Sequence, residues 1–284
     1  MELQEWALPL FTVLMQASIG AFVLIAWLRL RSRDEAMAGA YRKAVLALIP
    51  VALVGLLASV LHLGKPMLAM TAMKHLSTSW LSREIFFTGG FFVLLAASAG
   101  LDRTPGIRKI VDALAAVAGV ASIVSMSMVY QMTARPAWQG WGTHVAFIGT
   151  ALVVGMGLAA GLIAFFGREN AQVAANLHLL VGGTVVVLVA VLTAYPLYLA
   201  SLAGAGPAAE QTLHLLGSEY SVALVLRWVL TVAGGLLPLV FAWRRLASGK
   251  VTTGLVYTAL AFLLAGEMLG RYLFYVTGVS IHIG

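Results

Sequence analysis

The chain has 284 residues, of which 61% are hydrophobic and only 10% are charged. A soluble globular domain carries about a quarter charged residues, so this composition excludes that class and indicates an integral membrane protein. The net charge of +7 would suit a nucleic-acid binder. Lys and Arg are instead shared among short connections between apolar runs, a pattern that sets membrane topology and excludes nucleic acid as a partner.

Apolar runs long enough to cross about 30 Å of hydrocarbon recur along the whole chain. They are continuous and do not alternate as barrel strands do, so they predict an all-α, polytopic integral membrane protein with eight transmembrane helices. The predicted spans are residues 8–29, 44–63, 84–101, 110–130, 144–166, 178–200, 220–243 and 252–275. No soluble segment separates them, and we interpret residues 1–284 as a single membrane domain.

The first span is interpreted as a retained helix, because the N-terminus is acidic (Glu2, Glu5) and the first basic residue, Arg29, follows the apolar run. The connections after spans 1, 3, 5 and 7 carry Arg29, Arg31, Arg33, Arg42, Lys43, Arg103, Arg108, Lys109, Arg168, Arg244, Arg245 and Lys250. The opposite side carries Lys65, Lys74, Arg83 and Arg135. The positive-inside rule therefore predicts that both termini are periplasmic.

Among the ionisable residues within, or at the ends of, these apolar spans, five are singled out: His62, Glu84, Arg227, Glu267 and Arg271. A charge at membrane depth is costly, so each of them needs a partner, water or a function. The predicted topology places all five toward the periplasmic side, which indicates a polar site there.

Each of these residues also has a plain structural interpretation. Glu267 and Arg271 are four residues apart and can form an ion pair within one helix. Arg227 can pair with Glu219 or extend its side chain to the membrane surface. His62, at a helix end, can be a hydrogen-bonded packing residue.

Oxidation of a lipid quinol is one reaction that needs polar groups at the edge of an apolar, lipid-accessible pocket. The headgroup loses two electrons and two protons, so proton acceptors must lie near its hydroxyls. A histidine exchanges protons near neutral pH, and a neighbouring carboxylate can orient it or relay a proton. Arginine can hold a carboxylate or polarise a quinone oxygen.

Three segments resemble the membrane anchor subunit of respiratory dimethyl-sulfoxide reductases. Residues 58–67 (ASVLHLGKPM) resemble its His-Leu-Gly-x-Pro motif, and residues 81–85 (LSREI) its Leu-Ser-x-Glu-Ile motif. Residues 265–271 (AGEMLGR) are similar to its Ala-Gly-Glu-x-x-Gly-Arg motif. Further similar positions near the start of the sequence are Glu5, Trp6, Phe11, Thr12 and Gln16. The resemblance therefore extends from the first span to the last.

The resemblance implies that this anchor oxidises menaquinol, with His62 and Glu84 as the catalytic residues. The predicted quinol-binding residues are His62, Gly64, Pro66, Ser82, Glu84, Arg227, Glu267 and Arg271. In this hypothesis His62 accepts one proton, while Glu84 orients it or takes the second. Members of the family can have a basic residue just after the Pro-Met pair, where this protein has Leu68.

The resemblance also implies two partners on the periplasmic face: an iron–sulfur electron-transfer subunit and a molybdopterin catalytic subunit. The sequence has no cysteine. It can therefore hold neither a thiolate-bound cluster nor an attached c-type haem, and iron–sulfur chemistry is assigned to the partner. Menaquinol is expected as a substrate, with no haem or metal bound to this protein.

Three alternatives stay open at this point. A haem b-bearing electron carrier needs two axial histidines at matching depth, for which His62 and His144 form the only tolerable pair. A secondary transporter commonly has broken helices, and Pro50 and Pro196 are residues that can break spans 2 and 6. The third is a purely structural anchor that lacks a quinone site.

Overall fold

The computed structural model describes residues 3–32, 34–62, 73–101, 104–168, 170 and 172–281. Within these residues the structure is all-helical, and eight helices are long and apolar enough to span a membrane. The helices are α1 (Leu3–Arg31), α2 (Glu35–His62), α3 (Trp80–Gly100), α4 (Pro105–Gln131), α5 (Trp141–Phe166), α6 (Val173–Leu202), α7 (Pro207–Gly217), α8 (Ser221–Ala247) and α9 (Thr253–Val276). Helix α7, with 11 residues, is too short to span.

The predicted spans are all present, but most helices extend a few residues beyond the apolar runs. The largest shift at a functional position is in α3, which begins at Trp80 rather than at Glu84. The Ser79 hydroxyl caps this helix by accepting a 3.3 Å hydrogen bond from the Ser82 backbone N–H. Glu84 therefore lies one turn inside α3.

Helices α1 and α5 are the most deeply buried of the spanning helices and form the centre of the bundle. They cross at Gly20 and Gly155, where a Cβ on Gly20 would lie 1.9 Å from the Ala151 carbonyl oxygen. A Cβ on Gly155 would lie 2.7 Å from the Gly20 Cα. Only glycine permits this approach of two backbones, which is the common role of small residues between membrane helices.

Two pairs of glycines with GxxxG spacing also lie at helix contacts. Gly157 and Gly161 of α5 face Leu260 of α9, with Cβ positions 3.4 and 3.3 Å from its side chain. Gly266 and Gly270 of α9 face α8. Both pairs therefore allow neighbouring helices to approach closely.

The predicted proline breaks are wrong. Pro50 lies inside continuous α2 and Pro196 inside continuous α6. The irregular helix is instead α8, whose segment Leu230–Leu236 is π-helical. Phe262 and Leu263 of α9 pack on glycines of this segment, and a Cβ on Gly234 would lie 2.4 Å from Phe262 Cγ. Pro238 follows this segment and lacks the N–H that would bond the carbonyl of Gly234 in a regular α-helix, while α9 packs tightly against the same segment.

We call the side at which α1 begins and α9 ends the N-terminal face. At the opposite side, Arg29 is not part of a connection as predicted, but lies inside α1 and is buried. Its Nη1 is 3.3 Å from Oδ2 of Asp112, which is 1% exposed, and donates to Ser98 Oγ at 3.3 Å. This buried ion pair joins α1, α3 and α4. Asp112 lies inside the predicted span 110–130 but was not among the ionisable residues singled out from the sequence.

Candidate functional site

Glu84 is the buried carboxylate of α3 at the N-terminal face. It is 9% exposed, and no side chain among the described residues donates a hydrogen bond to it. Helix α3 packs against α2, whose last residue is His62. The sequence-predicted pair is thus carried by two neighbouring helices at the same face of the bundle.

The positions of several predicted site residues cannot be compared with the prediction. Gly64, Pro66, Lys65 and Leu68 lie outside the described residues, as does the side chain of His62. Ser82 is described and is buried on the first turn of α3. Its backbone is part of the cap that starts the helix.

Two tyrosines lie near both Glu84 and Arg271. Tyr130 of α4 and Tyr275 of α9 have ring centroids 5.4 Å apart. Tyr275 also donates a 3.4 Å hydrogen bond to Thr12 Oγ1 on α1. Among these described residues, neither tyrosine hydroxyl donates a hydrogen bond to the Glu84 carboxylate, and sequence inspection had singled out neither tyrosine.

Arg271 of α9 is the most buried charged side chain at this face, with 3% exposure. Its Nη2 donates to Gln16 Oε1 at 2.9 Å, to Thr150 Oγ1 at 3.1 Å and to the Ala146 carbonyl at 3.3 Å. Its guanidinium carbon lies 3.8 Å from the centroid of the Phe147 ring. Arg271 therefore joins α9 to the central helices α1 and α5.

Glu267 and Arg271 do not form the direct ion pair that their spacing allowed, although both are described. The Thr150 hydroxyl lies between them: its oxygen is 2.5 Å from Glu267 Oε2, accepts from Arg271 and is also 2.8 Å from the Ala146 carbonyl oxygen of its own helix. The reason is packing: α5 approaches α9 closely enough for a side chain of α5 to enter between the two charges. No sequence signal marks Thr150, because a threonine in an apolar span usually bonds to its own helix.

Thr150→Val tests this bridge, because valine keeps the side-chain shape and removes the hydroxyl. We expect the free energy of unfolding of the purified protein in detergent to fall by about 1–3 kcal/mol, since two buried charged groups lose a partner. Thermal denaturation of the variant and the wild-type protein measures this loss of stability. The matched control is Thr184→Val, whose buried hydroxyl bonds to the carbonyl of Leu180 in its own helix. Equal losses in the two variants would contradict the bridging role.

Arg227 of α8 is half-buried and does not pair with Glu219, which was one of its predicted structural roles. Its guanidinium carbon instead lies 4.4 Å above the centroid of the Tyr195 ring of α6. The same group packs on Gly270, where a Cβ would lie 2.5 Å from Arg227 Nε. Gly270 is therefore required for the position of Arg227.

Arg227, Glu267 and Arg271 line one pocket between α5, α6, α8 and α9. Aromatic side chains form much of its wall, among them Trp138, Trp141, Tyr195, Tyr198 and Phe274. Glu84 does not line this pocket. The structure thus brings three of the five ionisable residues together and places Glu84 outside this pocket.

His144, one half of the tolerable haem-ligand pair, lies at the start of α5. Its Nδ1 is 2.9 Å from the Ser127 hydroxyl of α4. Among the described residues there is no group of three or more His, Asp or Glu side chains that could hold a metal ion.

Eight helices that are long and apolar enough to span a membrane, within the described residues, define a polytopic membrane protein. The family described as DMSO reductase anchor subunit (DmsC) matches residues 1–277. The protein therefore belongs to the DMSO reductase anchor subunit family, as the sequence motifs predicted. It is the multi-pass inner-membrane anchor of a reductase complex in which catalysis lies on other subunits.

Two curated relatives are similar to this protein over nearly its whole length, and a third is similar over a little more than half of it. The anaerobic dimethyl sulfoxide reductase protein YnfH of Escherichia coli (strain K12) is 30% identical over 99% of this sequence and 96% of its own length. A second anaerobic dimethyl sulfoxide reductase subunit of the same organism is 28% identical over the same shares. An anaerobic dimethyl sulfoxide reductase subunit of Haemophilus influenzae is 29% identical over 57% of this sequence and 59% of its own.

Proposed function

We propose that this anchor oxidises menaquinol near the periplasmic side of the membrane and passes the electrons to an iron–sulfur partner. That partner in turn supplies a molybdopterin catalytic subunit, and both are bound at the N-terminal face. The observation that carries the proposal is Glu84, a buried carboxylate without a hydrogen-bonding side chain among the described residues. The part of the proposal that places the protein in a reductase complex rests on the family to which it belongs.

Proton handling is assigned to Glu84 and His62. Quinol oxidation releases two protons, so the headgroup needs acceptors within hydrogen-bonding reach. His62 ends α2 at the face where Glu84 lies in α3, and these two helices pack together. His62 accepts one proton from a quinol hydroxyl, and Glu84 orients the imidazole or takes the second proton. Gly64, Pro66 and Ser82 belong to the same proposed site.

Lipid access is provided by apolar side chains on the outer surfaces of the same two helices. Leu57 and Leu61 of α2 and Leu81 and Phe86 of α3 are exposed at this end of the bundle. A quinol with an isoprenoid tail can keep that tail in contact with this surface while its headgroup lies near Glu84. The headgroup then has polar partners on one side and lipid on the other.

Purification of the tagged protein in mild detergent tests the proposal as a whole. We expect two extrinsic subunits to co-purify, one with iron–sulfur clusters and one with molybdopterin, together with extractable menaquinone. Isolation of the anchor alone from cells that express all three subunits would contradict the proposed partners. Cleavage by an impermeant protease from the periplasmic side is expected to reach the extrinsic subunits; protection there would reverse the proposed orientation.

The haem-carrier alternative has a separate test in the same preparation. A b-type band in the reduced-minus-oxidised spectrum of the purified anchor would assign electron transfer to a bound haem instead. The ring nitrogen of His144 already has a polar contact with Ser127. This contact favours a structural role for His144.

A further inference from the structure

The pocket between α5, α6, α8 and α9 has a chemistry that differs from the surroundings of Glu84. Its volume is about 60 Å³. Pockets that hold drug-sized ligands usually measure about 300–1,000 Å³. The enclosed part of the pocket is therefore small by comparison, and it has room for a small polar group.

One buried donor of Arg271, a residue that lines this pocket, has no partner. Arg271 Nη1 is fully shielded from solvent and makes no hydrogen bond within the described part of the protein, although Nη2 makes three. A guanidinium uses all its N–H groups as donors and accepts nothing. An unpaired charged donor in an apolar interior is costly, so the Arg271 guanidinium has hydrogen-bonding capacity for one more oxygen acceptor.

The charges around the pocket identify the kind of acceptor. Two guanidinium groups, of Arg227 and Arg271, and one carboxylate, of Glu267, line it. Glu267 already contacts the Thr150 hydroxyl. One positive charge therefore remains in excess at a site of low dielectric constant, where charge–charge interactions are strong. An oxyanion balances that charge, whereas a neutral quinone carbonyl does not.

Helices α6 and α8 both line the pocket, and their contacts with each other differ along their length. These helices pack tightly away from the N-terminal face, where Trp243 fills the space beside Gly182, with Nε1 only 2.8 Å from a Cβ placed there. Near the N-terminal face they meet through larger side chains: Tyr195 contacts Trp228 at a centroid distance of 5.2 Å and lies below Arg227. Val222 and Val225 of α8 are exposed beside this contact. Aromatic residues of this kind mark the headgroup region of a bilayer.

We propose that this pocket binds the phosphate of a membrane phospholipid at the N-terminal face, with Arg227 and Arg271 as the binding residues. The exposed valines contact the acyl chains, and a phosphate oxygen completes the coordination of Arg271. Arginine suits this role because its planar donors match phosphate geometry. The site is independent of the proposed quinol site at Glu84, and its test requires no turnover.

The test measures the melting temperature of the purified full-length protein in neutral, phosphate-free detergent. The probes are dihexanoyl-phosphatidylglycerol, inorganic phosphate and dihexanoylglycerol, which lacks the phosphate. At a saturating concentration of about 100 times the dissociation constant, the phosphatidylglycerol should raise the melting temperature by about 5 °C or more. Dihexanoylglycerol should have no effect.

Two variants locate the response. Arg227→Gln removes one cation, and Gly270→Ala displaces the Arg227 guanidinium without a change of charge, because its Cβ would lie 2.5 Å from Nε. Both should abolish the shift. The matched control is Arg31→Gln, which removes an exposed arginine stacked 4.5 Å from the Trp27 ring at the opposite side and should retain it.

Each outcome decides a point. An equal shift with inorganic phosphate supports the oxyanion site and assigns its source to the free ion. A shift that persists in both pocket variants overturns the proposal, as does a response to a short-tailed menaquinone analogue alone. If neither variant folds, native mass spectrometry of the wild-type protein replaces them. Retained phospholipid is then expected, and a protein without any lipid phosphate contradicts the proposal.

Discussion

Glu84→Gln should reduce menaquinol-dependent turnover of the assembled complex by at least about 100-fold, the usual contribution of a positioned acid or base. The substitution keeps the size and polarity of the side chain but removes its ability to accept a proton. Turnover with an artificial donor that reduces the partner subunits directly should be unchanged. The comparison of the two donors in one preparation measures the effect.

Two further variants make this result specific. Glu210→Gln removes an exposed carboxylate from α7 at the same face and should leave both activities intact. His62→Ala should lose menaquinol-dependent turnover in the same way as Glu84→Gln. Normal menaquinol-driven rates in Glu84→Gln would show that this carboxylate has no part in proton transfer. Normal rates in His62→Ala would show that His62 is not the proton acceptor.

Gly20→Ala should have the largest effect on folding. The new Cβ would lie 1.9 Å from the carbonyl oxygen of Ala151, a backbone atom that cannot move away without displacement of α5. Helices α1 and α5 are the centre of the bundle, so their separation disturbs every other contact. We expect a loss of about 3 kcal/mol or more in the free energy of unfolding, at the upper end of overpacking effects.

The measurement is the yield of monodisperse protein in size-exclusion chromatography, followed by thermal denaturation of what is recovered. Gly90→Ala is the matched control, because a Cβ at Gly90 of α3 meets nothing within 4 Å. It should be neutral or slightly stabilising, as alanine favours helix over glycine. A Gly20 variant as stable as the Gly90 variant would mean that α1 and α5 do not approach as described.

The interactions of the ionisable residues show where sequence reasoning stopped. Spacing along a helix allowed Glu267 and Arg271 to pair, but spacing cannot show that Thr150 of another helix enters between them. In the same way, Arg227 had Glu219 as its nearest sequence candidate, yet it stacks on Tyr195. Both contacts join helices that are far apart in the sequence. The pattern of apolar residues within one span does not show which residues of another helix it will meet.

The sequence also did not reveal the buried ion pair of Arg29 and Asp112, which lies outside the predicted site. Arg29 was assigned to the connection after span 1, and Asp112, inside the predicted span 110–130, was not singled out. The two residues meet because α1, α3 and α4 pack together at this end of the bundle, where Ser98 of α3 contacts both side chains.

The sequence by itself determined the membrane class, the number of spanning helices and the family. These properties depend on the length and composition of local segments and on short motifs, because a bilayer has no water to satisfy an irregular backbone. Only the tertiary structure decided which polar groups meet. It separated Glu84 from the pocket of Arg227, Glu267 and Arg271, because contacts between side chains of different helices are set by close packing at glycines such as Gly20 and Gly270.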